Sequence, residues 1–181
     1  RGPKRKIERI LIEAFKTQKS VIHSVKGWDK MNREEIKSLL MESGNWPFIH
    51  QRPYGIMANP LDTPKAIFVS TIKTNPLYGD MQFILKNDKK EFQLGIDLLN
   101  MLVDQPVFLG VEKSFSGYFG SIERVKHYTV EGPHPSGNLS LHIQRISPLN
   151  IGERIWSVNA EDVANLGRFI NSGIYFKITT V

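Results

Sequence analysis

Two short stretches hold side chains whose type and spacing could do chemistry. The first is Thr71-Ile72-Lys73-Thr74-Asn75-Pro76-Leu77-Tyr78-Gly79-Asp80, which follows the apolar run Ala66-Ile67-Phe68-Val69. An open α/β sheet binds its ligands beyond the carboxyl ends of its strands, so this loop stands where a nucleotide's phosphates would be gripped. Gripping by backbone uses GxGxxG, whose glycines let bare N–H groups and a helix N-terminus approach a pyrophosphate. This loop is instead branched, holds a proline and has a single glycine. The second stretch is Gly132-Pro133-His134-Pro135-Ser136-Gly137, in which two prolines and two glycines stiffen the backbone and present the His134 ring. A rigid turn closing a strand and a loop facing a ligand or partner both fit that pattern.

Other chemistries are excluded or unsupported. There is no HExxH, GxSxG or GxxxxGK[ST], and the histidines (His23, His50, His127, His134, His142) fall at spacings that suggest no metal cage. Without cysteine there is no disulfide, thiolate zinc site, cysteine-held iron–sulfur cluster or cysteine nucleophile, and the cytosolic side is the natural compartment. The net charge of +6 invites a nucleic-acid reading, but its distribution argues against one. Nine basic and three acidic residues lie up to residue 30, and the rest of the chain carries fifteen of each sign. A nucleic-acid binder spreads its charge as a stripe on the folded face, so no nucleic-acid partner is expected. No apolar run approaches the ~20 residues of a membrane span, and no signal peptide is recognisable. Any membrane contact is therefore expected to be indirect.

The elements that must position the two stretches follow from pattern. Composition alone, 40% hydrophobic over 181 residues, allows one domain with a real core. Ile7 to Glu13 alternate as a strand, and Lys16 to Lys30 read as a linker. Asn32 with Glu35 forms a capping box for a helix over about 33 to 43, closed by Gly44. Trp46 and Phe48 read as core packing, and the proline-rich segment after Arg52 as extended or turned chain. Ala66 to Val69 is the first strand of a parallel sheet, Leu77 to Leu85 is ambiguous, and Asp88 caps a helix with Phe92, Ile96, Leu99 and Val103 on its buried stripe. A second buried strand runs from Val107 to Val111, Ser114 to Gly120 is a loop, and Ile122 to Thr129 alternate as a strand. Leu139 to Ile146, with His142, reads as another strand, as does Ile155 to Val158. Asn159 with Asp162 predicts a second capping box, for a helix ending at Gly173 in which Gly167 marks a close helix–sheet approach. Tyr175 to Val181 is strand-like, and the opening at Arg1 suggests a piece of a longer protein. The order is α/β with a mostly parallel sheet and helices on both faces.

The segments SGNWPFIHQRP, TPKAIFVSTIKTNPL, VEGPHPSG and NAEDVANLGRFINSG, in this order and spacing, closely resemble the A-subunit family of the bacterial Na+-translocating NADH:quinone oxidoreductase. The chain departs after Gly137, where that family often has LxGTHI and Ser140 stands in place of the glycine. The resemblance implies that residues 1–30 are the end of a biotinyl/lipoyl-like, β-rich domain with its linker. Residues 31–181 would form a central Rossmann-like domain similar to the FMN-binding subunit of complex I without its flavin-holding loop. It implies a peripheral subunit on the cytoplasmic face of the bacterial inner membrane, within a sodium-pumping NADH:ubiquinone reductase. Its partners would be the other subunits, chiefly a membrane subunit, with ubiquinone a further candidate contact. No cofactor is expected on this fragment; NADH, FAD, FMN, riboflavin, iron–sulfur and ubiquinone would be served by other subunits. The candidate interface or ligand crevice comprises Thr74, Asn75 and Pro76 with Gly132, Pro133, His134, Pro135, Gly137 and the aligned His142; none is expected to be catalytic. Two rival readings stay open: a flavin- or NADH-binding oxidoreductase domain, and the related C subunit of a ferredoxin:NAD electron-transport complex.

Overall fold

The structure is a computed structural model, and it describes residues 9–11, 13, 20–113 and 116–178. Helix α1 (Arg33–Glu42) starts as its sequence dictates. The Asn32 side chain accepts from the Glu35 N–H, the Glu35 carboxylate accepts from the Asn32 N–H, and Ile36, Leu39 and Leu40 go inward. A short turn at Trp46–Phe48 follows, with both aromatic rings buried. The next segment is a hairpin, β1 (Ile49–Arg52) and β2 (Ile56–Met57), where the prolines had suggested extended or turned chain without a pairing.

Strand β3 (Ile67–Ser70) is buried throughout, as a central parallel strand must be. After it come α2 (Met81–Ile84), capped by the Asp80 carboxylate, and the long helix α3 (Lys89–Asn100). Then follow β4 (Val107–Glu112), α4 (Ser116–Phe119), β5 (Val125–Val130), α5 (Leu139–Ile146), β6 (Ile155–Asn159) and α6 (Ala160–Ser172). The sheet order is β2-β1-β6-β3-β4-β5, with β6, β3, β4 and β5 parallel and the β1–β2 hairpin antiparallel on one flank. The chain steps outward from β3 to β4 to β5 and then returns to lay β6 against the other side of β3, so its direction of winding reverses between β3 and β6.

Alternation along β3 assigns the two faces. Ile67 and Val69 join Leu109, Val111, Trp156 and Val158 in the main core under α1, α3 and α6. Ala66 and Phe68 join Ile155 and Ile143 of α5 on the opposite face. Helices therefore cover both sides.

Several expectations need correction. Leu139 to Ile146 is a helix, not a strand: the Asn138 side chain accepts from the Ser140 N–H to cap its start, and the Ser147 N–H closes its end on the Ile143 carbonyl. Tyr175 to Ile178 form no strand, and the last three residues of that run lie outside the described residues. The Ser114 to Gly120 segment contains α4, whose Phe119 packs edge-on to Phe92 with ring centroids 5.7 Å apart. Neither Asn159 nor Asp88 caps its helix backbone; Asn159 donates to the Asp162 carboxylate at 3.2 Å, and Asp88 pairs with Arg168 at 2.6 Å. Gly167 does mark a close approach, but to α3 rather than to the sheet: a Cβ there would lie 1.7 Å from the Glu91 carbonyl oxygen. Gly95 answers it from α3, where a Cβ would lie 2.0 Å from the Val163 carbonyl oxygen. Of the alternation expected over Ile7 to Glu13, Arg9, Ile10, Leu11 and Glu13 are described and lie in no strand, and the other three positions lie outside the described residues.

Candidate functional site

The reversal between β3 and β6 leaves a crevice at their carboxyl ends, the place where an open α/β sheet receives ligands. It holds a cavity of about 380 Å³. Ser70 and the loop residues Ile72, Lys73 and Asn75 come from β3, and Ser157, Val158 and Asn159 from β6. A further wall comes from β1, because its alternation turns Ile49 and Gln51 inward and leaves His50 and Arg52 on the cavity side. Gly137 and Leu139 close the cavity from the end of α5.

The two stretches singled out in the sequence meet here. The Thr74 hydroxyl oxygen accepts from the Gly137 N–H (3.1 Å) and lies 3.2 Å from His134 Nδ1, to which its own O–H can donate. The approach depends on glycine, since a Cβ at position 137 would sit 2.8 Å from that same oxygen. The histidine loop is braced internally by Ser136, whose hydroxyl donates to the Gly132 carbonyl (2.6 Å) and whose N–H donates to the Pro133 carbonyl (2.8 Å).

Beneath the loop lies His142, 4% exposed. Its Nε2 is 2.6 Å from the Ser136 carbonyl, which can only accept, so Nε2 carries the proton and Nδ1 is free to accept from the Tyr128 hydroxyl at 3.1 Å. Burial drives the Tyr128 hydroxyl well above the ordinary phenol range, opposed by a hydrogen bond from Ser70, so it stays protonated. Burial also lowers the His142 pKa, against the pull of the Ser136 carbonyl and with a contribution from Arg145. A chain of hydrogen bonds thus runs from Tyr128 on β5, through His142 on α5, to the loop.

The cavity is electropositive on one side. Arg52 Nε donates to the Ser157 hydroxyl at 3.3 Å. Lys73 is half-buried; burial lowers its pKa, Glu161 and Asp162 oppose this, and Arg52 adds to it. Asp162 is itself engaged by Lys177 at 2.9 Å, and burial, reinforced by Asp162, raises the Glu161 pKa.

Of the candidate residues, Thr74, His134 and Gly137 are brought together, and Asn75 and Gly137 line the cavity. Pro76, Gly132, Pro133 and Pro135 are exposed and do not line it. His142 supports the loop from within. Sequence reasoning missed Arg52, Lys73, Ser157 and Asn159 as parts of the site. Lys73 was legible as part of the loop after β3, but Arg52 gave no signal, because only the register of β1 against β6 carries it to the crevice. No cluster of three or more metal-ligating side chains occurs among the described residues, and none of their helices is long and apolar enough to cross a membrane.

The family described as NqrA second alpha/beta domain matches residues 31–175. The A subunit of the Na(+)-translocating NADH-quinone reductase of Alcanivorax borkumensis is 30% identical over 178 residues, covering 96% of this chain and 39% of that protein. The corresponding A subunit of Rhodopirellula baltica is 31% identical over 177 residues, covering 96% and 39%. That of Vibrio atlanticus is 30% identical over 178 residues, covering 97% and 40%. The chain spans about two fifths of the length of these curated relatives. Among solved structures, an NAD+-reducing [NiFe]-hydrogenase in the air-oxidised state aligns over 87% of this chain and 36% of its own, with a TM-score of 0.47 and 12% identity. The match of the family over residues 31–175 and the relatives aligned along nearly the whole chain show that the chain belongs to the NqrA family, whose second α/β domain it contains.

Proposed function

We propose that this chain serves as a peripheral, cytoplasmic-face part of a Na+-translocating NADH–quinone reductase in the bacterial inner membrane, taking part in assembly and in the quinone-side interface. The relatives are named as A subunits of a Na(+)-translocating NADH-quinone reductase, which supports membership of such a complex. In this reading residues 1–30 close a preceding biotinyl/lipoyl-like domain and residues 31–181 form the docking domain. NADH, FAD, FMN, riboflavin, iron–sulfur and ubiquinone are handled by other subunits, and a membrane subunit is the principal partner.

The observation that carries the proposal is the seal over the crevice. The Thr74 hydroxyl, held by the Gly137 N–H, occupies ground that a nucleotide fold leaves to bare glycine backbone, and it presents Asn75 and His134 outward. An exposed, internally braced polar loop suits contact with a neighbouring protein of the complex. The test is His134→Ala and Asn75→Ala in the assembled complex. Either should reduce complex yield or lower the quinone reductase rate severalfold, and wild-type values of both would overturn the docking role.

The second reading, a flavin- or NADH-binding domain, is favoured by Arg52 and Lys73 in the cavity. Micromolar binding of FMN or NADH in calorimetric titration would support it. The ferredoxin:NAD C-subunit reading draws no support from relatives that are A subunits of the sodium pump.

A further inference from the structure

Two cations, Arg52 and Lys73, line the cavity between β3 and β6, and the carboxylates of Glu161 and Asp162 act on Lys73 without pairing with it directly. Among the described residues neither Arg52 nor Lys73 enters an ion pair, although seven such pairs occur elsewhere in the molecule. Two like charges brought together in a partly desolvated cleft raise the energy of the fold unless an anion balances them. The Ser70, Asn75, Ser157 and Asn159 side chains line the same cavity; Ser157 is engaged by the His50 carbonyl and Arg52, and one Asn159 N–H is given to Asp162, which leaves the Asn75 amide and the second Asn159 N–H as neutral donors. The N-terminus of α6, a helix of 13 residues, opens directly after Asn159, whose side chain does not cap it. Glu161 and Asp162 are the opposing charges at Lys73. Asp162 is already held by Lys177 and Asn159.

We propose that this crevice binds the phosphate group of a small molecule, with Arg52 and Lys73 supplying charge and the Asn75 and Asn159 amides orienting the oxyanion. The recognition uses side chains in place of the backbone nest that the loop after β3 lacks. A cavity of about 380 Å³ is larger than phosphate alone, which leaves room for the remainder of a phosphate ester. The proposal goes beyond the docking role and does not depend on it: Asn75 belongs to both, whereas His134 belongs to the rim and Arg52 and Lys73 to the cavity alone, so their variants separate the two.

The test is calorimetric titration of the purified chain with inorganic phosphate at low ionic strength, with FMN as a parallel arm. Saturable one-site phosphate binding is expected, weakened about tenfold by Arg52→Gln and by Lys73→Gln, roughly the loss of one charge-assisted hydrogen bond. Lys90→Gln, an exposed site on α3, should leave it unchanged. Because Arg52 also holds Ser157, melting curves of the free variants check folding, and Lys73, which makes no hydrogen bond among the described residues, provides the independent variant. Absence of saturable binding, or binding weakened equally by Lys90→Gln, overturns the proposal and leaves the docking role untouched. FMN binding lost in both crevice variants supports the phosphate site and overturns the cofactor-free docking reading.

Discussion

The α3–α6 contact and the crevice rim are built on opposite principles. At the first, two helices approach through Gly95 and Gly167 so closely that backbone carbonyls occupy the space of the missing Cβ atoms, and apolar side chains such as Phe92, Ile96, Val163 and Leu166 fill the rest. At the second, few apolar groups are involved, and order comes from single hydrogen bonds between residues far apart in the chain, Thr74 to Gly137 and Tyr128 to His142. Close-packed interiors resist any added volume, whereas a polar rim tolerates substitution while losing its geometry. The scaffold's stability and the site's shape are thus separable properties of this fold.

The sharpest way to break the comparison is Gly167→Ala. Its methyl group would press on the Glu91 carbonyl and force the helices apart, so a loss of about 3 kcal/mol is expected, read from the shift in urea midpoint. A loss under about 1 kcal/mol would mean the helices can separate freely and the contrast is unfounded. Tyr128→Phe should cost less, about 1–2 kcal/mol, because it strips the Nδ1 partner from the buried His142 and leaves the packing intact. An effect as large as that of Gly167→Ala would place the polar network in the scaffold rather than the site. The smallest effect is a pH dependence. Folding lowers the His142 pKa, so the unfolded chain binds the proton more readily. Stability is full well above the ordinary histidine value of about 6.5 and declines as pH falls through it toward the lowered folded value. Melting temperatures of wild type and His142→Gln across that range should converge as pH drops; parallel curves would exclude His142 as the titrating group.

The same division governs how much was legible in the sequence. The scaffold declared itself locally: Asn32 and Glu35 form the capping box their spacing announces, and Ala66 to Val69 lie in or against the central strand their apolar run requires. The errors arose where local pattern was ambiguous. Leu139, Leu141 and Ile143 alternate as a strand would, yet the Asn138 cap belongs to a helix. Gly167 declared a close approach without naming its partner, because nothing within one helix says which neighbour lies against it. The crevice was legible only as two loops at one end of a sheet. The bond between Thr74 and Gly137 spans 63 positions, and Arg52 arrives through a hairpin whose second strand has two residues, too short for any periodicity to register.

That hairpin has a wider consequence for the molecule. The parallel strands must stay apolar to remain interior, so they have little freedom to vary what the crevice offers. The outer strand of the flanking antiparallel pair is under no such restriction, since both of its residues, Ile56 and Met57, face solvent. Chemical character can therefore be rewritten from the margin of the sheet, by lengthening, shortening or recharging a single turn, while the centre stays untouched.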